Sequence, residues 1–90
     1  MYGLSGLFYQ ECTVKAGRIE QENFDTYDMM RLAQMPKVEA YVAASHDGVW
    51  GGVGEPTICV APPAVLNAIA AATGTRYRTF PLRDHGLTMA

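Results

Sequence analysis

Three glycines in four positions, followed by a carboxylate and a proline, interrupt the middle of this chain as Gly51-Gly52-Val53-Gly54-Glu55-Pro56. Each glycine loses more backbone entropy on folding than any other residue. Such a cluster is tolerated where the backbone must turn sharply or approach a ligand closely. Pro56 disfavours the helical region for Glu55 and is expected to hold it extended. A carboxylate is thereby displayed from a stiffened backbone, beside glycines that leave room for something bulky. The plain alternative is a turn whose glutamate points into water. The spacing is neither the Gly-x-Gly-x-x-Gly of a dinucleotide fingerprint nor a P-loop, since no Gly-Lys-Ser/Thr follows. Trp50 flanks the loop and reads as a pocket wall or a packed aromatic.

Around this loop the pattern predicts an α+β layer: a β-hairpin and further strands packed with one main α-helix. Residues 8–14 and 18–24 read as the hairpin strands, joined by Lys15-Ala16-Gly17, where Gly17 can take a positive φ. Lys37 to Ala44 alternates cleanly, with Val38, Ala40, Val42 and Ala44 on one side and Lys37, Glu39, Tyr41 and Ala43 on the other. Residues 25–36, rich in methionine, read as an extended crossover. The helix is expected from about Pro62 or Pro63 to Thr73. Prolines suit its first turn, Val65, Leu66, Ile69 and Ala72 form its apolar face, and Gly74 supplies a left-handed cap. Tyr77 to Leu82 reads as a short strand, placed at an edge by Pro81.

Ninety residues suffice for a single domain with a thin core. With 49% hydrophobic residues and a net charge of −2, disorder is not expected. The seven basic residues are scattered, which argues against a nucleic-acid partner. Cys12 and Cys59 sit among apolar neighbours and read as free, buried thiols rather than a disulfide scaffold. No apolar run is long enough for a transmembrane segment. The N-terminus lacks the pattern of an export signal, and no compartment follows from that.

Other candidates carry less. His46 and His85 stand far apart with no companion spacing, so ordinary loop histidines are expected and no metal site is assigned. Asp47-Gly48 is first a turn signal. Ser45 and His46 would point opposite ways in a strand, which disfavours a nucleophile pair. Met29, Met30 and Met35 read as core or interface filler. Tyr27 and Arg31 could pair on a helix, with no chemical role attached.

Several stretches in order resemble one family. They are Gly3-Leu4-Ser5, Lys15 to Gln21, Asn23 to Tyr27, Met35 to Glu39, Gly51 to Pro56, Asn67 to Gly74 and Phe80-Pro81-Leu82. Together they resemble the C-terminal part of the molybdopterin-binding large subunits of the xanthine dehydrogenase and aldehyde oxidase superfamily. The likeness is greatest to isoquinoline 1-oxidoreductase β subunits and bacterial aldehyde dehydrogenases.

That resemblance implies that Glu55 lies beside a molybdenum centre, as general base in the hydroxylation of an N-heterocycle or aldehyde. Gly52 and Gly54 would let the backbone pass close to the cofactor. A solvated glutamate is a weak base at neutral pH, and exclusion of water strengthens it. The family's subunits are many times longer, and most of their pterin-binding loops have no counterpart here. The resemblance therefore implies a fragment that is inactive alone and binds no molybdopterin by itself. Its partners would be the remainder of the large subunit and an iron–sulfur small subunit. Bare apolar surface would make a homo-oligomer of the isolated chain possible. A stand-alone, non-catalytic binding or assembly module is the alternative.

Overall fold

Leu4, Leu7 and Phe8 recur at helical i, i+3, i+4 spacing, and the chain opens with a short helix, α1, over Tyr2–Phe8. The computed structural model describes residues 1–43, 48–49 and 51–90, excepting the Thr57 side chain. A two-stranded antiparallel hairpin follows, with β1 at Val14–Lys15 and β2 at Arg18–Ile19. The long helix α2 spans Ala61–Thr73. Single 3-10 turns occupy Leu32–Gln34, Glu55–Thr57 and Leu82–His85. Helices and a hairpin make the chain α+β, as its pattern indicates.

The α2 boundaries follow from local chemistry. Pro62 and Pro63 lie in its first turn, where backbone N–H groups have no helical acceptor. Gly74 ends it at φ 74°, donating its N–H to the Ala70 carbonyl at 2.8 Å. Val65, Leu66 and Ile69 turn towards the core, whereas Ala72 is exposed.

That core is small. Leu7, Phe8 and Tyr9 at the end of α1 close on Leu82, which is fully buried in the C-terminal 3-10 turn. Burying Leu82 contributes about 2 kcal/mol. The Tyr9 hydroxyl accepts a hydrogen bond from the Met89 N–H at 2.8 Å, tying the C-terminal tail to α1. The buried Ser5 hydroxyl accepts from the Met30 N–H at 3.0 Å and the Gln10 side chain at 3.1 Å, fixing the methionine-rich loop beneath α1. Arg83 links three segments, reaching Asp28 at 2.9 Å, Glu11 at 3.7 Å and Asp84 at 3.6 Å.

Three sequence expectations for the strands are corrected. The hairpin ladder is two residues per strand, not seven, and Phe8 belongs to α1. Beyond the ladder, one backbone bond from the Glu20 N–H to the Thr13 carbonyl at 2.9 Å continues the pairing, and side chains reinforce it. The Gln21 side chain accepts from the Thr13 N–H at 2.8 Å, and the Thr13 hydroxyl donates to Glu20 at 2.8 Å. Residues 37–43 form no strand ladder, and Ala44 lies outside the described residues. Their alternation is nevertheless real: Lys37 and Tyr41 both reach the Glu39 carboxylate, as side chains two apart do in an extended segment. Alternation reports a face that can be buried; a ladder also needs a neighbouring strand. Residues 77–82 likewise form no strand, because Leu82 turns into the core as the start of a 3-10 turn.

The methionine-rich segment is also not a continuous crossover. It folds back at Asn23, whose carbonyl accepts from the Tyr27 N–H at 2.8 Å, and again at Leu32–Gln34. No helix pairs Tyr27 with Arg31, which instead meets Asp28 at 3.9 Å. Both cysteines are free, but exposed rather than buried.

The radius of gyration is 16.2 Å, against about 12 Å for a compact chain of this length. The accessible surface is 7382 Å², where a compact monomer of this mass shows about 5,200 Å². The excess includes apolar side chains that a globular monomer would hide, among them Leu32, Val42 and Val53.

Candidate functional site

The glycine loop ends in a 3-10 turn that begins at Glu55, with Gly54 as its N-cap and Pro56 inside it. This corrects the expectation that Pro56 holds Glu55 extended. Proline fits the first positions of a helical turn, and here the steric bias it imposes on the preceding residue is overridden. The Glu55 carbonyl accepts from the Ile58 N–H at 2.9 Å. The Pro56 carbonyl accepts from the Cys59 thiol at 2.9 Å. Both bonds close the turn directly onto the start of α2.

Gly3 fixes this turn to the core. A Cβ added there would lie 2.6 Å from the Ile58 carbonyl oxygen and 3.1 Å from the Ala61 Cβ. Only glycine lets α1 approach so closely the segment between Glu55 and α2. The backbone of Glu55 is therefore anchored on its C-terminal side. Its carboxylate is exposed and meets no donor among the described residues. Val53 is 85% exposed. The water exclusion expected to strengthen Glu55 as a base is not provided by these neighbours.

Glycines usually answer an internal need, either a positive φ or a close packing contact. Gly51, Gly52 and Gly54 show no positive φ, and among the described residues a Cβ added at each meets no atom within 4 Å. Gly48 takes φ 72°, while Asp47 of the expected Asp-Gly turn lies outside the described residues.

Two grooves border α1. One, of about 320 Å³, runs between Tyr2, Gly3 and Gly6 of α1 and Ile58, Pro62 and Phe80. The other, of about 300 Å³, is walled by Met1, Tyr2, Met29, Met30, Leu32 and Met35. Neither is lined by Glu55, Gly52 or Gly54. Ser5 and Gly3, which position these features, escape a reading by residue chemistry. The helical spacing of Leu4, Leu7 and Phe8 is the signal that points to them.

No group of three or more His, Cys, Asp or Glu side chains capable of holding a metal occurs among the described residues. His85 is engaged locally, with its Nε2 2.9 Å from the Thr79 hydroxyl and its ring 4.9 Å from that of Tyr77. Ser45, His46, Asp47 and Trp50 lie outside the described residues.

No family model matches the chain, and no solved structure does. Two curated proteins do. The isoquinoline 1-oxidoreductase subunit beta of Brevundimonas diminuta is 32% identical over 81 residues, 90% of this chain and 10% of that protein. The membrane-bound aldehyde dehydrogenase [pyrroloquinoline-quinone] of Gluconacetobacter polyoxogenes is 32% identical over 83 residues, 92% of this chain and 11% of that protein. The chain thus spans about a tenth of the length of these relatives, and along nearly all of its own length it resembles a segment of each of these two oxidoreductase chains.

Proposed function

We propose that this chain is a C-terminal segment of a molybdopterin-dependent oxidoreductase large subunit, in which Glu55 is the general base for oxidation of an N-heterocycle or an aldehyde. The observation that carries the reading is the Glu55 turn. It presents an exposed carboxylate that meets no donor among the described residues, on a backbone anchored through Ile58 to α1, beside Gly51 and Gly52, where an added Cβ would meet open space. Space kept open at Gly52 and Gly54 suits close passage of a bulky group.

Such a group is expected to need more of the subunit than this segment. Among the described residues no metal-ligand cluster occurs, and a Cβ added at Gly51 or Gly52 meets no atom within 4 Å. The pterin and its metal would be held by the remainder of the large subunit, with an iron–sulfur small subunit as further partner. When covered, Glu55 would lose its contact with water and become a stronger proton acceptor. Alone, the chain is expected to be inactive. A non-catalytic binding module is the rival reading, favoured by the methionine-lined groove at α1.

Complementation tests the proposal. The matched segment is deleted from the Brevundimonas diminuta subunit, and this chain is supplied in its place. Restored molybdenum content and hydroxylation support the reading. Failure to restore activity in a folded assembly sinks it, as does an active assembly that carries pyrroloquinoline quinone and no molybdenum.

A further inference from the structure

Residues 37–43 form an extended segment whose backbone N–H and carbonyl groups meet no partner among the described residues. Its side chains sort cleanly. Lys37 and Glu39 form an ion pair at 2.8 Å on one side, with the Tyr41 hydroxyl donating to the same carboxylate at 3.3 Å. Val38, Ala40 and Val42 occupy the other side, and Val42 is 95% exposed. A bare strand edge with an apolar side is a template for another strand. Edges are normally guarded by charges or prolines placed along them, and no charge stands on this apolar side.

We propose that two copies of this chain pair antiparallel through residues 37–43, about a twofold axis at Ala40. The order Val38-Ala40-Val42 reads the same in both directions, so it complements itself across such an axis. Val38 then faces Val42 of the second copy, Ala40 faces Ala40, and Glu39 faces Tyr41. A slip of one residue would set valines against the polar side, so the register is specified. A register centred on Val38 would bring Pro36 and the Leu32–Gln34 turn into the ladder, where proline has no N–H to donate. A two-stranded ribbon alone is marginal, so the pairing is expected to be weak and concentration-dependent. The inference makes no use of Glu55, so its failure would leave the functional reading intact.

Sedimentation velocity of the 90-residue chain over a range of concentrations tests it, with Val38→Lys/Val42→Lys as the first variant. That variant sets lysine against lysine at both apolar pairs and should weaken dimerisation roughly tenfold or more. Register is read in a Cys12→Ser/Cys59→Ser background, since both native thiols are exposed. There, Ala40→Cys should form a disulfide dimer under mild oxidation well ahead of Lys37→Cys, which faces Ala43. A chain that stays monomeric overturns the proposal. So does a lysine variant that dimerises like wild type, or equal cross-linking at positions 37 and 40.

Discussion

Replacing Gly3 with alanine adds one methyl group at the closest approach that any glycine of the chain makes among the described residues. Its Cβ would sit 2.6 Å from the Ile58 carbonyl oxygen, nearly an ångström inside ordinary contact, which begins at 3.4 Å. The opposing atom is backbone and cannot swing aside like the end of a side chain. Either α1 or the Glu55 turn must move. Overpacking of this kind costs about 1–3 kcal/mol. Alanine recovers part of that through helix propensity, less than the full ~1 kcal/mol because Gly3 lies in the first turn of α1. The net loss of about 1–2 kcal/mol should lower the thermal midpoint by roughly 5–15 °C. Gly6→Ala is the matched control. Its added Cβ meets only the Gln10 side chain, at 3.5 Å, so the propensity gain should raise the midpoint by a few degrees. Circular dichroism melts of both variants decide the matter. If Gly3→Ala melts at or above wild type, the close approach of α1 to Ile58 is not what anchors the Glu55 turn.

Arg83→Ala should cost about 1 kcal/mol in urea unfolding, less in high salt, because its three carboxylate partners are all partly exposed. Ala16 holds φ 50° in the hairpin turn beside Gly17, a conformation that asparagine tolerates better; Ala16→Asn should stabilise by about 0.5–1 kcal/mol in the same assay. Lys37, and after it Tyr41, hold the Glu39 carboxyl below the ordinary carboxylate range. Any stability from this exposed group is present above the unfolded carboxylate's pKa and fades as pH falls through the lower folded value. Carbon-detected NMR titration should show Lys37→Met moving the Glu39 midpoint upward.

What the sequence disclosed follows the range of the interactions involved. The limits of α2 are local properties of Pro62, Pro63 and Gly74, and the structure has them where the pattern places them. The hairpin turn is legible from Gly17 for the same reason. α1 is not, because Gly3, Ser5 and Gly6 are poor helix formers; contacts of Leu7 and Phe8 with Leu82 hold it, across more than seventy positions. The segments around Val38 and Tyr77 show their alternation but not whether a neighbouring strand exists. Glu55 stood out by its glycines and Pro56, yet the exposure of its carboxylate depends on what covers the loop, which no local pattern encodes.

Turnover by Glu55→Gln tests the central claim most directly. The substitution keeps the size of the side chain and removes its capacity to accept a proton. In the complemented Brevundimonas diminuta assembly, the account predicts a loss in kcat of roughly a hundredfold or more, with molybdenum content unchanged. Turnover within about twofold of wild type would contradict it.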